Sequence, residues 1–108
     1  MNVASVKLCR KLYELSGWEP EPPFWKLPDA TFKSRVPAYS LGYLLRKLPR
    51  RYKDMPLAMY AGTKGWEFSY GTADPHLIVN DYTPEDAACK LAIKLFKQRL
   101  LPATNPEK

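Results

Sequence analysis

The stretch Thr83-Pro84-Glu85-Asp86 followed by AACKLAIKLFKQRLL constrains the fold more than any other part of the chain. Thr83 is a helix N-cap, Pro84 suits the first helical position, and two acids meet the positive end of the helix dipole. The pattern predicts a helix from Pro84 to about Leu101, where Pro102 ends it. Asp86, Lys90, Lys94 and Lys97 fall in one narrow stripe, with Asp86 and Lys90 spaced as an i,i+4 ion pair. Ala88, Cys89, Leu91, Ala92, Ile93, Leu95, Phe96 and Leu100 cover the remaining two-thirds of the circumference. So broad an apolar surface needs a sheet to lie across, because a narrow helical seam would leave much of it wet.

The sheet is read from the middle of the chain. Leu57-Ala58-Met59-Tyr60-Ala61 leads through Gly62-Thr63-Lys64-Gly65, a tight-turn composition, into Trp66-Glu67-Phe68-Ser69-Tyr70. Trp66, Phe68 and Tyr70 share one face of that second strand, which the terminal helix needs for its own packing. After a turn at 71–75, residues 76–80 supply a third strand, giving an antiparallel three-stranded meander.

Two helices precede the sheet. From Val3 to Ser16, Lys7, Arg10, Lys11 and Glu14 lie on one side of a helical wheel. Val6, Leu8, Cys9, Leu12, Tyr13 and Leu15 lie on the other, and Gly17 sits where helices end in a left-handed residue. Ser40 caps a second, short helix whose Leu41, Leu44, Leu45 and Leu48 form an apolar stripe; Pro49 stops it. The expected architecture is therefore α+β, in the order α-α-β-β-β-α, with a three-stranded antiparallel sheet packed against the C-terminal helix. A chain of 108 residues supports one core, so residues 1–102 are expected to form a single domain and 103–108 a disordered tail.

Residues 18–39 fit no regular element. Positions 18–37 hold five of the chain's 11 prolines, with Trp18, Phe24, Trp25 and Phe32 among them. Proline forbids helix interior, and four large rings are too many for a plain linker. An ordered strap across the domain buries such rings; an exposed partner-binding segment is the alternative reading.

Charge narrows the function classes. The net charge is +6. Residues 1–56 carry 11 basic and 5 acidic side chains, whereas residues 57–108 carry six of each, so the excess belongs wholly to the first half. It is densest at Arg46, Lys47, Arg50, Arg51 and Lys53. Such a run is the electrostatic footprint of a phosphate binder and equally a common solvated face. No apolar run reaches the roughly 18 residues of a membrane span, and the N-terminal segment lacks the apolar block of a signal peptide. A cytoplasmic protein with no membrane partner is expected, its two cysteines, Cys9 and Cys89, buried and reduced.

Catalytic constellations are sparse. His76 is the single histidine, flanked by Asp74 and Asp81, and could serve as a base if it faced a cleft. Neither cysteine sits at a helix start, and no phosphate-cradling glycine loop is present. Two Cys and one His also fall short of a closed structural zinc site. No enzyme, cofactor or metal is therefore expected.

Two resemblances bear on function. The order helix, three strands, helix is also that of the double-stranded RNA-binding domain, a resemblance of topology. Such domains place lysines at the start of their last helix to grip phosphates, whereas this chain has Glu85 and Asp86 there. VPAYSLGYLLRKLP (36–49) and YTPEDAACKLAIKLFKQRLL (82–101) resemble blocks of small uncharacterised proteins of tailed phages and prophages. That likeness spans about residues 36–101 and implies a lineage without a reaction or catalytic residues. Small phage accessory proteins often bind a host protein, including components of antiviral defence. The expectation is thus a non-enzymatic protein acting by contact with a host or phage protein. Trp18, Phe24, Trp25, Arg46, Lys47, Arg50, Arg51 and Lys53 are the candidate contact residues. A nucleic-acid-binding module using residues 46–53 is the alternative.

Overall fold

The computed structural model describes residues 3–19, 36–71 and 77–101. Its first helix, α1 (Val6–Ser16), starts three residues later than the periodicity predicts. Ser5 accepts the Leu8 N–H as N-cap, so Val3 and Ala4 are left extended. They pair instead with residues 39 and 40: Val3 bridges Ser40, and the Ala4 N–H donates to the Tyr39 carbonyl at 2.9 Å. Gly17 closes α1 in the left-handed region, as expected. Helix α2 (Leu41–Lys47) is capped by Ser40, whose Oγ accepts the Tyr43 N–H at 3.2 Å.

A hairpin that the sequence reading does not anticipate follows. Strands β1 (Arg51–Tyr52) and β2 (Met55–Pro56) pair antiparallel around Lys53 and Asp54. Both turn residues have positive φ, 49° and 67°, the pattern of a type I′ turn. The main sheet then runs β3 (Ala58–Gly62), β4 (Gly65–Ser69) and β5 (Val79–Asp81), in that spatial order and antiparallel throughout. Strand β5 is shorter and later than the expected 76–80, and His76 lies outside the described residues.

Helix α3 (Pro84–Lys97) packs across β4 and β5 and also meets α1 and α2. This is the expected α+β architecture, a three-stranded antiparallel sheet under the C-terminal helix. Phe68, Tyr70, Leu77, Leu91, Leu95, Leu12 and Leu44 are buried in one apolar cluster. Trp66 borders it, half-buried. The helix stops four residues before Leu101. Arg99 turns left-handed at φ 59°; its N–H returns to the Phe96 carbonyl, and the Leu100 N–H to Leu95. These two bonds form a Schellman cap built on arginine rather than glycine.

The charged stripe of α3 is also arranged differently from the expected i,i+4 pairing of Asp86 with Lys90. Lys90 pairs with Asp81 at 2.9 Å. Asp86 accepts the backbone N–H of Ser5 at 2.6 Å, joining the start of α3 to the start of α1. Cys9 and Cys89 are both buried and joined in no disulfide, as read from the sequence. Among the described residues, no helix is long and apolar enough to cross a membrane, and no cluster of three His, Cys, Asp or Glu side chains could hold a metal ion.

Candidate functional site

The five predicted cations sit on one continuous stretch that the fold pushes outward. Leu44 and Leu48 anchor α2 in the core, so Arg46 and Lys47, in its last turn, point to solvent. Their position also suits the negative end of the helix dipole. Pro49 follows, its carbonyl accepting the Tyr70 hydroxyl at 2.7 Å, and the Leu57 N–H closes back on the Arg50 carbonyl at 2.9 Å. The hairpin between these two tethers presents Arg51 and Lys53. All five cations are exposed, and among the described residues none pairs with a carboxylate.

Aromatic rings lie beneath part of this surface. The Lys47 ammonium stands 5.6 Å above the Trp18 ring and 5.7 Å above Tyr43. Lys53 stands 5.3 Å above Tyr52. These are cation–π distances, and they hold the two ammonium groups over rings that carry no compensating charge. Burial pushes the Tyr43 hydroxyl above its ordinary pKa, against a smaller opposing pull from Arg46. Arg51 donates to the Asp54 carbonyl at 3.5 Å, which leans its guanidinium along the turn.

Trp18 does not belong to the exposed set. Its ring is only 5% accessible and packs edge-on against Phe96 at 5.0 Å. Its N–H donates to Ser16 Oγ, and its carbonyl accepts the Tyr39 hydroxyl at 2.5 Å. Val36, Pro37, Ala38 and Tyr39 are buried as well. The two ends of the proline-rich segment are therefore core, its residues 20–35 lie outside the described residues, and Trp18 supports Lys47 from below. Phe24 and Trp25 lie outside the described residues.

A second exposed region was not singled out by sequence. On the sheet face away from α3, Tyr60, Glu67 and Asn80 form one row across the three strands. With Lys64 they line an open hollow of about 410 Å³. Tyr60 is 58% exposed, and Tyr82, just past β5, is 86% exposed. Clean alternation in β4 made its inner face legible; β3, with Met59 and Tyr60 adjacent, offered no such signal. Asp81 is engaged by Lys90. Burial raises its carboxyl pKa, but the Lys90 hydrogen bond, the Tyr82 N–H and the Lys90 charge outweigh that and hold it below the ordinary carboxylate value.

Comparison with protein-family models, with curated proteins and with solved structures gives no match.

Proposed function

We propose that the chain is a small non-enzymatic binding protein that acts by protein–protein contact, through the cationic end built from α2 and the β1–β2 hairpin. The observation that carries this reading is the set of five exposed cations within eight positions, none neutralised by a carboxylate among the described residues. A surface left uncompensated in this way fits an acidic partner, and its Arg and Tyr residues are types enriched in interface hot spots. The likeness of 36–49 and 82–101 to phage and prophage blocks gives a host factor, such as a component of antiviral defence, as the partner class.

Several features favour protein over nucleic acid. A double-stranded RNA grip would need a second cationic site at the start of α3. There Glu85 is buried, and Asp86 is committed to Ser5. Base stacking would need free rings. Phe68 and Tyr70 are buried, ammonium groups already occupy the space over Tyr43 and Tyr52, and the exposed Tyr60 and Tyr82 lie in β3 and just past β5 rather than in the cationic stretch.

The deciding experiment compares the protein with a variant carrying Glu at positions 46, 47, 50, 51 and 53, its fold verified by circular dichroism. Host-lysate proteins cross-linked to the first and absent from the second are the expected result, with no saturable binding of labelled duplex or single strands at low salt. Nucleic-acid affinity that falls with a log–log salt slope of about −4.5, as five released counterions give, and vanishes in the variant would replace this reading with the nucleic-acid one.

A further inference from the structure

Strand β3 is an edge of the main sheet, and its own residues carry none of the charges, prolines or bulges that normally blunt one. Its five residues, Ala58-Met59-Tyr60-Ala61-Gly62, include no charge and no proline. All five stand in unbroken register with β4, so no bulge turns the edge away. Helix α3 lies over β4 and β5, leaving Met59 45% and Tyr60 58% exposed. An open, regular, uncharged edge is a template for another strand.

Which backbone groups it offers follows from the turn. Gly62 pairs with Gly65 across the two-residue loop Thr63-Lys64, so this pair exchanges both hydrogen bonds. Antiparallel pairs alternate, so Tyr60 and Ala58 also bond to β4. The N–H and C=O groups of Met59 and Ala61 therefore face the free edge.

We propose that β3 is a dimerisation edge. It pairs antiparallel with β3 of a second copy, centred on Tyr60, and joins the two sheets into one of six strands. In this register Met59 of each copy stands opposite Ala61 of the other. Both residues have outward-facing backbone groups, so the two pairs make four hydrogen bonds across the two-fold axis. The side chains are self-complementary in the same register. On the face shared with Phe68, each Met59 meets an Ala61. On the opposite face, Tyr60 meets its own copy, flanked by Ala58 against Gly62. A strand whose sizes match its own reversal fits a second copy better than an arbitrary foreign peptide, and symmetric pairing is the commonest route to a closed assembly. The absence of charge matters equally: in a chain of net charge +6, β3 brings no like charge to the axis.

The test combines sedimentation over a concentration series with amide hydrogen exchange read residue by residue. A monomer–dimer equilibrium is expected, with protection at Met59 and Ala61 rising at least tenfold between dilute and concentrated samples and Tyr60 unchanged. Raising salt strengthens the dimer by screening copy–copy repulsion, the opposite sign to contact between the basic end and an acidic partner, so the two proposals fail separately. Tyr60→Lys should be monomeric, two ammonium groups then meeting at the axis, while its fold holds because the lysine faces Glu67 within its own sheet. Ala61→Pro deletes a donor that the monomer does not use and should give the same loss. A chain that stays monomeric at millimolar concentration overturns the proposal. So does dimerisation undiminished in Tyr60→Lys, or protection of Met59 and Ala61 that appears only when a foreign protein is added.

Discussion

At the scale of single residues, the buried tyrosines set how the protein responds to alkali. Tyr70 donates to the Pro49 carbonyl, and burial pushes its pKa up to about 12. Burial raises Tyr39 further still, against a smaller lowering by its Ser16 hydrogen bond. A group whose pKa is raised on folding stabilises the fold fully below its unfolded value of 10.0 and loses that contribution as pH climbs toward the folded value. Absorbance at 295 nm should therefore show these tyrosines ionising late and together with unfolding. Tyr70→Phe should lower stability by about 1 kcal/mol at pH 7, the net value of one hydrogen bond, yet lose less between pH 10 and 12. Arg99 is a second case. An arginine at φ 59° carries strain that glycine avoids, so Arg99→Gly should raise the urea midpoint by the equivalent of about 0.5–1 kcal/mol.

Among the elements, the start of α3 was the most legible and its end the least. Thr83, Pro84 and Glu85 announce a helix N-terminus by local chemistry alone, and Thr83 does accept the Asp86 N–H at 3.1 Å. The end was misread because the apolar stripe continues through Leu100 and Leu101 after the backbone has turned away. A left-handed arginine leaves no mark in sequence. The β1–β2 hairpin escaped for a similar reason, its two-residue strands being too short for alternation to register. Within the candidate site, the exposed cations were legible because charge is costly to bury; whether Trp18 is core or exposed stayed open in sequence, since its burial depends on Phe96 and Tyr39, distant along the chain. Asp86 shows the same limit. A side chain at the third helical position ordinarily reaches back to its own N-cap; here it serves the N-cap of α1, 81 residues away. Asp86→Ala should cost about 1.5–3 kcal/mol in urea unfolding, because a charged hydrogen bond between two helices is lost. Asp86→Asn, which keeps an acceptor oxygen, should cost less.

Taken whole, the molecule is electrostatically lopsided. Five cations with no carboxylate partner among the described residues lie at one end of the chain's middle, while the ion pair found among those residues, Lys90–Asp81, lies beside β5. Repulsion within the basic end opposes folding and is screened over a Debye length of about 8–10 Å at 0.1–0.15 M salt. The melting temperature should thus rise between 10 and 200 mM NaCl, and the rise should shrink when Arg50 and Lys53 are replaced by Gln.

The hydrogen bond from Tyr39 to the Trp18 carbonyl has a bearing on how such a protein can diverge. It clasps the chain on itself in the core, so that residues 19–38 are fastened at both ends by the same buried contact. Closure entropy grows by only about 0.6 kcal/mol for each doubling of the enclosed length, so the clasp can seat Trp18 and Tyr39 in the core at little added cost whatever the number of residues between them.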